Sequence, residues 1–100
     1  MFVRVARHWC KPGKIDAGRD FIDRQGRAQA NAPGFRFRYR LEPPEGPGII
    51  ATITAWEDEA AFDRFRASVK TKRDEATYPF ERVEDERFVV GSAFGREPGA

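Results

Sequence analysis

The segment Phe35-Arg36-Phe37-Arg38-Tyr39-Arg40-Leu41 alternates apolar and cationic residues without a break. A strand has a side-chain period of two, so this pattern predicts one face of three aromatics and Leu41 and another of three arginines. Ile49 to Trp56, IIATITAW, carries no ionised side chain, and a strand uncharged on both sides predicts burial on both faces. An opening strand is predicted over residues 2–9, FVRVARHW, from its β-branched and aromatic content; Pro12-Gly13 breaks it. A last strand is predicted from Val83 to Phe94, centred on Arg87-Phe88-Val89-Val90.

Two segments carry a helical period instead. Ile15, Gly18, Ile22 and Gln25, with Phe21 and Ala28 beside them, form a stripe from Ile15 to about Ala32, and Asp16, Asp20 and Asp23 suit its N-terminal half. Gly18 and Gly26 weaken that helix by up to about 1 kcal/mol each, and Pro33-Gly34 ends it. Glu57-Asp58-Glu59 places three acids where a helix start favours anions, and Phe62, Phe65 and Val69 continue at i, i+3 and i+7. Residues 42–48, EPPEGPG, form a loop.

The order is therefore β-α-β-β-α-β over residues 1–94, one domain, with 95–100 expected to be a disordered tail. That order defines an α+β, ferredoxin-like plait: a four-stranded antiparallel sheet with both helices on one face. The uncharged third strand would leave an apolar outer face, so a homodimer with sheets packed face to face is expected.

Composition narrows the function. Nine Phe against a single Leu means that aromatic rings carry the core. The net charge is only +2, and the one basic cluster, 36–40, turns its arginines away from its aromatics. Strand-binding platforms need stacking and charge on one surface, and IIATITAW lacks the glycine and aromatic run of an RNA-recognition strand, so no nucleic-acid partner is expected. A single cysteine, Cys10, excludes an intrachain disulfide and suits a reducing, cytoplasmic compartment. No apolar run approaches the roughly 20 residues a membrane span requires, so no membrane partner is expected.

The opening strand with its Lys11-Pro12-Gly13-Lys14 break, Pro33-Gly34-Phe35 before the second strand, and Ala55-Trp56-Glu57-Asp58-Glu59-Ala60-Ala61-Phe62 at the strand-to-helix junction resemble the antibiotic biosynthesis monooxygenase domain. This is a family of dimeric α+β barrels, and the likeness spans about residues 2–92. It implies a homodimer and cofactor-independent oxygenation of an aromatic or quinol-type small molecule. Thr52 stands where such oxygenases often carry an amide, and Phe62 where some carry a tyrosine. Haem-degrading relatives draw an iron ligand from the second helix or just after it. Residues 57–82 contain no histidine, so neither haem nor any other cofactor is expected.

Within that frame, Trp56 is either an anchor of the core or the aromatic wall of a pocket. His8, the only histidine, titrates near neutrality and is the candidate general base. Arg36, Arg38 and Arg40, or Arg4 on the face of His8, are candidate holders of a substrate anion, Arg38 foremost, with Tyr39, Thr52 and Phe62 as further substrate-binding candidates. The simpler roles are a solvated row for Arg36, Arg38 and Arg40, and core filling for Tyr39. Cys10, beside Lys11, would have a lowered pKa if that cation acts on it. The rival to an oxygenase is a non-catalytic or regulatory small-molecule-binding dimer of the same fold.

Overall fold

The computed structural model describes residues 1–70 and 72–96; most of the expected tail, 97–100, lies outside the described residues. The elements are β1 (Phe2–Cys10), α1 (Ile15–Gln29), β2 (Phe35–Leu41), β3 (Ile49–Trp56), α2 (Glu59–Ser68) and β4 (Phe80–Val89). They build one antiparallel sheet in the order β2-β3-β1-β4, as the ferredoxin-like plait requires. The last strand starts three residues earlier and ends five earlier than its sequence pattern predicts. Phe80 is a core residue, whereas Phe94 is almost fully exposed.

Local chemistry sets the helix ends. The Asp58 carboxylate accepts a hydrogen bond from the Ala61 amide at 2.8 Å and so caps α2. That puts the start of α2 at Glu59 and leaves Val69 just beyond its end. Gly18 lies in α1 where an added Cβ would stand 3.0 Å from Phe80, 3.1 Å from Cys10 and 3.2 Å from Ile50. The helix propensity it sacrifices is exchanged for close approach to the sheet.

Register assigns the faces. His8 pairs with Ile50, Ala6 with Thr52, Arg4 with Thr54 and Phe2 with Trp56, and all of these point to the side covered by the helices. In β2 the register shifts between Phe35 and Phe37. Phe35 therefore packs with Trp56 on the helix side, its ring centroid 5.4 Å away, while Phe37, Tyr39 and Leu41 turn outward. The expected solvated row of arginines is corrected: one extra residue at the bulge reverses the side chains, so Arg38 and Arg40 face α1.

Aromatic rings dominate both buried clusters. One joins Phe2, Trp56, Ala61 and Phe62, with Phe35 and Phe65 packed against it; the other joins Ile22, Ile50 and Phe80, flanked by Phe21 and Tyr78. The outer sheet face is apolar at its centre, where Val3, Val5, Ile53 and Phe37 are half-buried. Tyr39, Leu41 and Phe88 there are 43%, 45% and 49% exposed. Tyr39 therefore does not fill the core.

Candidate active site

Arg38 is the most unusual group in the molecule. Its guanidinium is threaded under α1, donating to Gln29 Oε1 at 3.3 Å, Thr54 Oγ1 at 3.4 Å, the Ile22 carbonyl at 3.3 Å and Gln25 Oε1 at 3.3 Å. Every one of those acceptors is neutral. Burial, reinforced by repulsion from Arg4 and only partly opposed by Asp23, lowers its pKa to about 10. A half-buried cation without a carboxylate hydrogen-bond partner is incompletely compensated and favours an anion that reaches it through the cleft. Arg40, by contrast, is neutralised by Asp23 at 2.7 Å and Glu42 at 3.3 Å.

His8 lies on the same face of the sheet, buried against the Phe80 ring at 4.8 Å. Its Nδ1 stands 3.0 Å from the Ile50 carbonyl. A carbonyl can only accept, so Nδ1 carries the proton and Nε2 presents a lone pair. Burial pushes the pKa below that of a free imidazole, with Arg38 and Arg4 adding to the effect and the bond to Ile50 opposing it. The ring is therefore neutral near pH 7.

Thr52 and Thr54 are buried on β3 between the two groups. Trp56 closes the strand, fully buried, with rings of Phe35, Phe62 and Phe65 at 5.4 to 5.9 Å. Its Nε1 is buried with no hydrogen-bond partner, and an unmet donor of this kind costs roughly 1–3 kcal/mol. Burial also raises the Cys10 thiol pKa, with nearby Glu42 and Glu81 in the same direction and Arg19 opposing. The lowered value considered from the sequence is thereby corrected.

Two clefts of about 400 Å³ each open between helices and sheet. The first is lined by Ile22, Gly26, Arg27, Phe35, Arg38 and Arg40, together with Asp23 and Ala30. The second lies under α2 and is lined by Arg4, Phe62, Phe65, Arg66, Val69, Asp85 and Arg87. Of the residues singled out in the sequence, Arg38 lines the first and Phe62 the second. His8, Thr52 and Trp56 share their sheet face but line neither, and Tyr39 sits on the opposite face.

Sequence reasoning missed Gln25, Gln29 and Thr54, whereas Arg4 was a candidate and lines the second cleft. Thr54 had a signal, because Thr52 and Thr54 are the polar positions of one face in an otherwise apolar strand. The two glutamines had none, since their value lies in meeting Arg38 across space.

The donor set does not fit haem. His8 is the single imidazole, enclosed among Ile50 and Phe80, and α2 with the segment after it offers no histidine up to residue 82. Among the described residues no group of three or more His, Cys, Asp or Glu side chains could hold a metal ion.

Fold and site together define an α+β plait with small-molecule-sized clefts between its helices and its one sheet. The chain belongs to the antibiotic biosynthesis monooxygenase family, whose model matches residues 1–73. Among solved structures it is similar to SnoaB, a cofactor-independent oxygenase from Streptomyces nogalater, with TM-score 0.76 and 19% identity over 95% of this chain and 97% of that one. It is also similar to the heme-degrader MhuD from Mycobacterium tuberculosis, solved with two hemes in its active site, with TM-score 0.73 and 20% identity over 95% and 100%. A Pseudomonas aeruginosa protein superposes with TM-score 0.77 at 14% identity over 91% and 94%. At these identities the likenesses establish the fold. Comparison with curated protein sequences gave no match.

Proposed function

We propose that the chain is a cofactor-independent monooxygenase acting on a small aromatic molecule with an ionisable hydroxyl. The observation that carries this reading is Arg38, a half-buried guanidinium that lines a cleft and hydrogen-bonds only neutral acceptors. The anion that complements it is a phenolate, held in the first cleft with its oxygen toward Arg38. The charge of Arg38 favours ionisation of the hydroxyl, and His8, on the same sheet face but outside the cleft lining, takes the released proton through an intervening water, with the Thr52 and Thr54 hydroxyls along the strand between the two groups. Trp56 and Phe35 form the aromatic wall behind the cleft.

The electron balance needs no external reductant. The phenolate gives one electron to dioxygen, and the two radicals recombine to form a C–O bond at the carbon para to the hydroxyl. The O–O bond of that peroxide then breaks, and its outer oxygen leaves as water, taking the proton of the same carbon and the proton earlier removed from the phenol. One oxygen atom becomes the new carbonyl of a quinone and the other becomes water, with the substrate supplying all four electrons. The contribution of the protein is deprotonation, a fixed positive charge and a sheltered cleft.

The same proposal includes a cytoplasmic homodimer in which the outer sheet faces pack together. The apolar centre formed by Val3, Val5, Ile53, Phe37, Tyr39, Leu41 and Phe88 supports it, since a face of this character in water favours a partner. Among the described residues no helix is long and apolar enough to cross a membrane.

Oxygen uptake with a panel of monohydroxy and dihydroxy aromatics tests the activity, comparing the wild type with His8→Ala and Arg38→Gln. Uptake by the wild type, with one labelled oxygen entering the product and a loss of at least tenfold in either variant, is the expected result. A second reading, a binding dimer without catalysis, is favoured by the enclosure of His8 away from both clefts. Tight binding of a phenolate that depends on Arg38, with no oxygen consumed across the panel, would establish that reading instead. Light scattering in dilute solution tests the dimer.

A further inference from the structure

The carboxylates of α1 are directed away from Arg38. Asp16 is engaged by Arg19 at 3.0 Å, Asp20 by Arg24 at 3.0 Å and Asp23 by Arg40 at 2.7 Å. The stripe that meets Arg38 consists instead of Ile22, Gln25, Gly26 and Gln29, whose i, i+3, i+4 and i+7 spacing places them on one face of the helix. The Ile22 carbonyl and both amide oxygens accept from the guanidinium at 3.3 Å. Gly26 leaves room for the arginine stem, since an added Cβ there would stand 3.4 Å from Arg38 Cδ and 3.5 Å from Nε. Gln25 is exposed, whereas Gln29 is buried. The charges that bear on Arg38 are Arg4 on β1, which repels it, and Asp23, which attracts it but is bonded to Arg40. A hydrogen bond between two ions is roughly twice as strong as one between neutral groups. The difference between an amide and a carboxylate at position 29 therefore decides whether the guanidinium is already compensated before a ligand arrives.

We propose that Gln29 determines the charge selectivity of the first cleft: its buried amide oxygen meets Arg38 without neutralising it, which leaves the guanidinium to an incoming oxyanion. This role rests on the reading that the Arg38 cleft holds the substrate as a phenolate. It adds the residue, acting through Arg38, that makes the cleft prefer the ionised form of its ligand over the neutral one.

The probe is 4-nitrophenol, with 4-nitroanisole as its uncharged isostere, titrated calorimetrically into the full-length protein at a pH where the free phenol is ionised. The nitro group withdraws electron density, so the probe binds without being oxidised, and the visible band of the phenolate reads the ionisation state of the bound ligand. Gln29→Glu keeps the chain length and pairs with Arg38. It lowers the preference for nitrophenolate over nitroanisole by about tenfold or more, the worth of one charge-assisted hydrogen bond. It also moves the absorbance titration of the bound phenol to higher pH. Gln29→Met, which is uncharged like the wild type, keeps the preference within about threefold. Gln25→Glu, at an exposed position, lowers the preference in the same direction and takes over the test if Gln29→Glu does not fold. A preference retained in the glutamate variant, or lost as fully in Gln29→Met, would overturn the assignment. Arg38→Gln separates the two claims. If it abolishes nitrophenolate binding while Gln29→Glu does not weaken it, only the role of Gln29 fails. If Arg38→Gln binds like the wild type, or the wild type shows no preference for the anion, the phenolate reading fails and this role with it.

Discussion

Gly34 couples the turn before β2 to the first turn of α2, and Gly34→Ala measures how tightly. Gly34 has φ +86°, a left-handed conformation, and a Cβ added there would stand 2.5 Å from the Ala61 Cβ. Its carbonyl also accepts the Glu57 amide at 2.7 Å, so the turn cannot swing away without losing that bond. Left-handed backbone costs a residue with a side chain about 1–2 kcal/mol, and forcing a methyl into a packed contact costs about 1–3 kcal/mol. The expected destabilisation is about 3 kcal/mol, which lowers Tm by roughly 15 °C in a domain of this size. Urea and thermal unfolding, followed by tryptophan fluorescence and circular dichroism at fixed protein concentration, read it directly. Ala61→Gly provides the internal control. It removes the clashing methyl, and the next nearest atoms to the new Cβ are Glu57 Oε2 at 3.7 Å and Ala61 Cα at 3.9 Å, ordinary contacts. In that background the cost of Gly34→Ala falls to the backbone strain of about 1–2 kcal/mol. A Gly34→Ala protein within 1 kcal/mol of wild type would refute the strain argument, and an identical cost in both backgrounds would refute the steric one.

Three further outcomes follow from the same geometry. Gly18→Ala gains up to about 1 kcal/mol of helix propensity yet is destabilising overall, because its methyl meets Phe80, Cys10 and Ile50 at 3.0 to 3.2 Å; a raised unfolding midpoint in urea would contradict this. Arg38→Met leaves stability within about 1–2 kcal/mol of wild type, since the lost hydrogen bonds are offset by relief of a half-buried cation without a carboxylate hydrogen-bond partner, while phenolate binding falls at least tenfold by calorimetry. His8 has a folded-state pKa below its unfolded one, so between the two values the unfolded chain binds the extra proton and stability rises with pH. The His8 contribution is complete above the unfolded value near 6.5 and is lost as pH falls below it. Unfolding free energy measured from pH 5 to 8 shows this slope in the wild type and a flatter one in His8→Gln.

The elements were legible in the chain because each is a local periodicity: alternation in β2, an uncharged run in β3, spaced aromatics in α2. The motif fragments were legible too, and space explains why they travel together. Pro33-Gly34-Phe35 and the junction after Trp56 touch each other, Gly34 against Ala61 and Phe35 against Trp56. β4 was misplaced by several residues because nearly all of it is exposed and its charged side chains blur the apolar pattern that marks a boundary.

What the tertiary structure alone decided is which side of β2 meets the helices. A period of two shows that a strand has two faces, and hydropathy assigns the aromatic one to the interior. The bulge before Phe37 adds one residue and reverses that assignment, turning Arg38 under α1 and Phe37, Tyr39 and Leu41 outward. An arginine is tolerated there because Gln25, Gln29, Thr54 and the Ile22 carbonyl, drawn from two other elements, meet its donors. Such a set of partners exists only after the chain has folded, so the sequence named the charge and the fold supplied its surroundings.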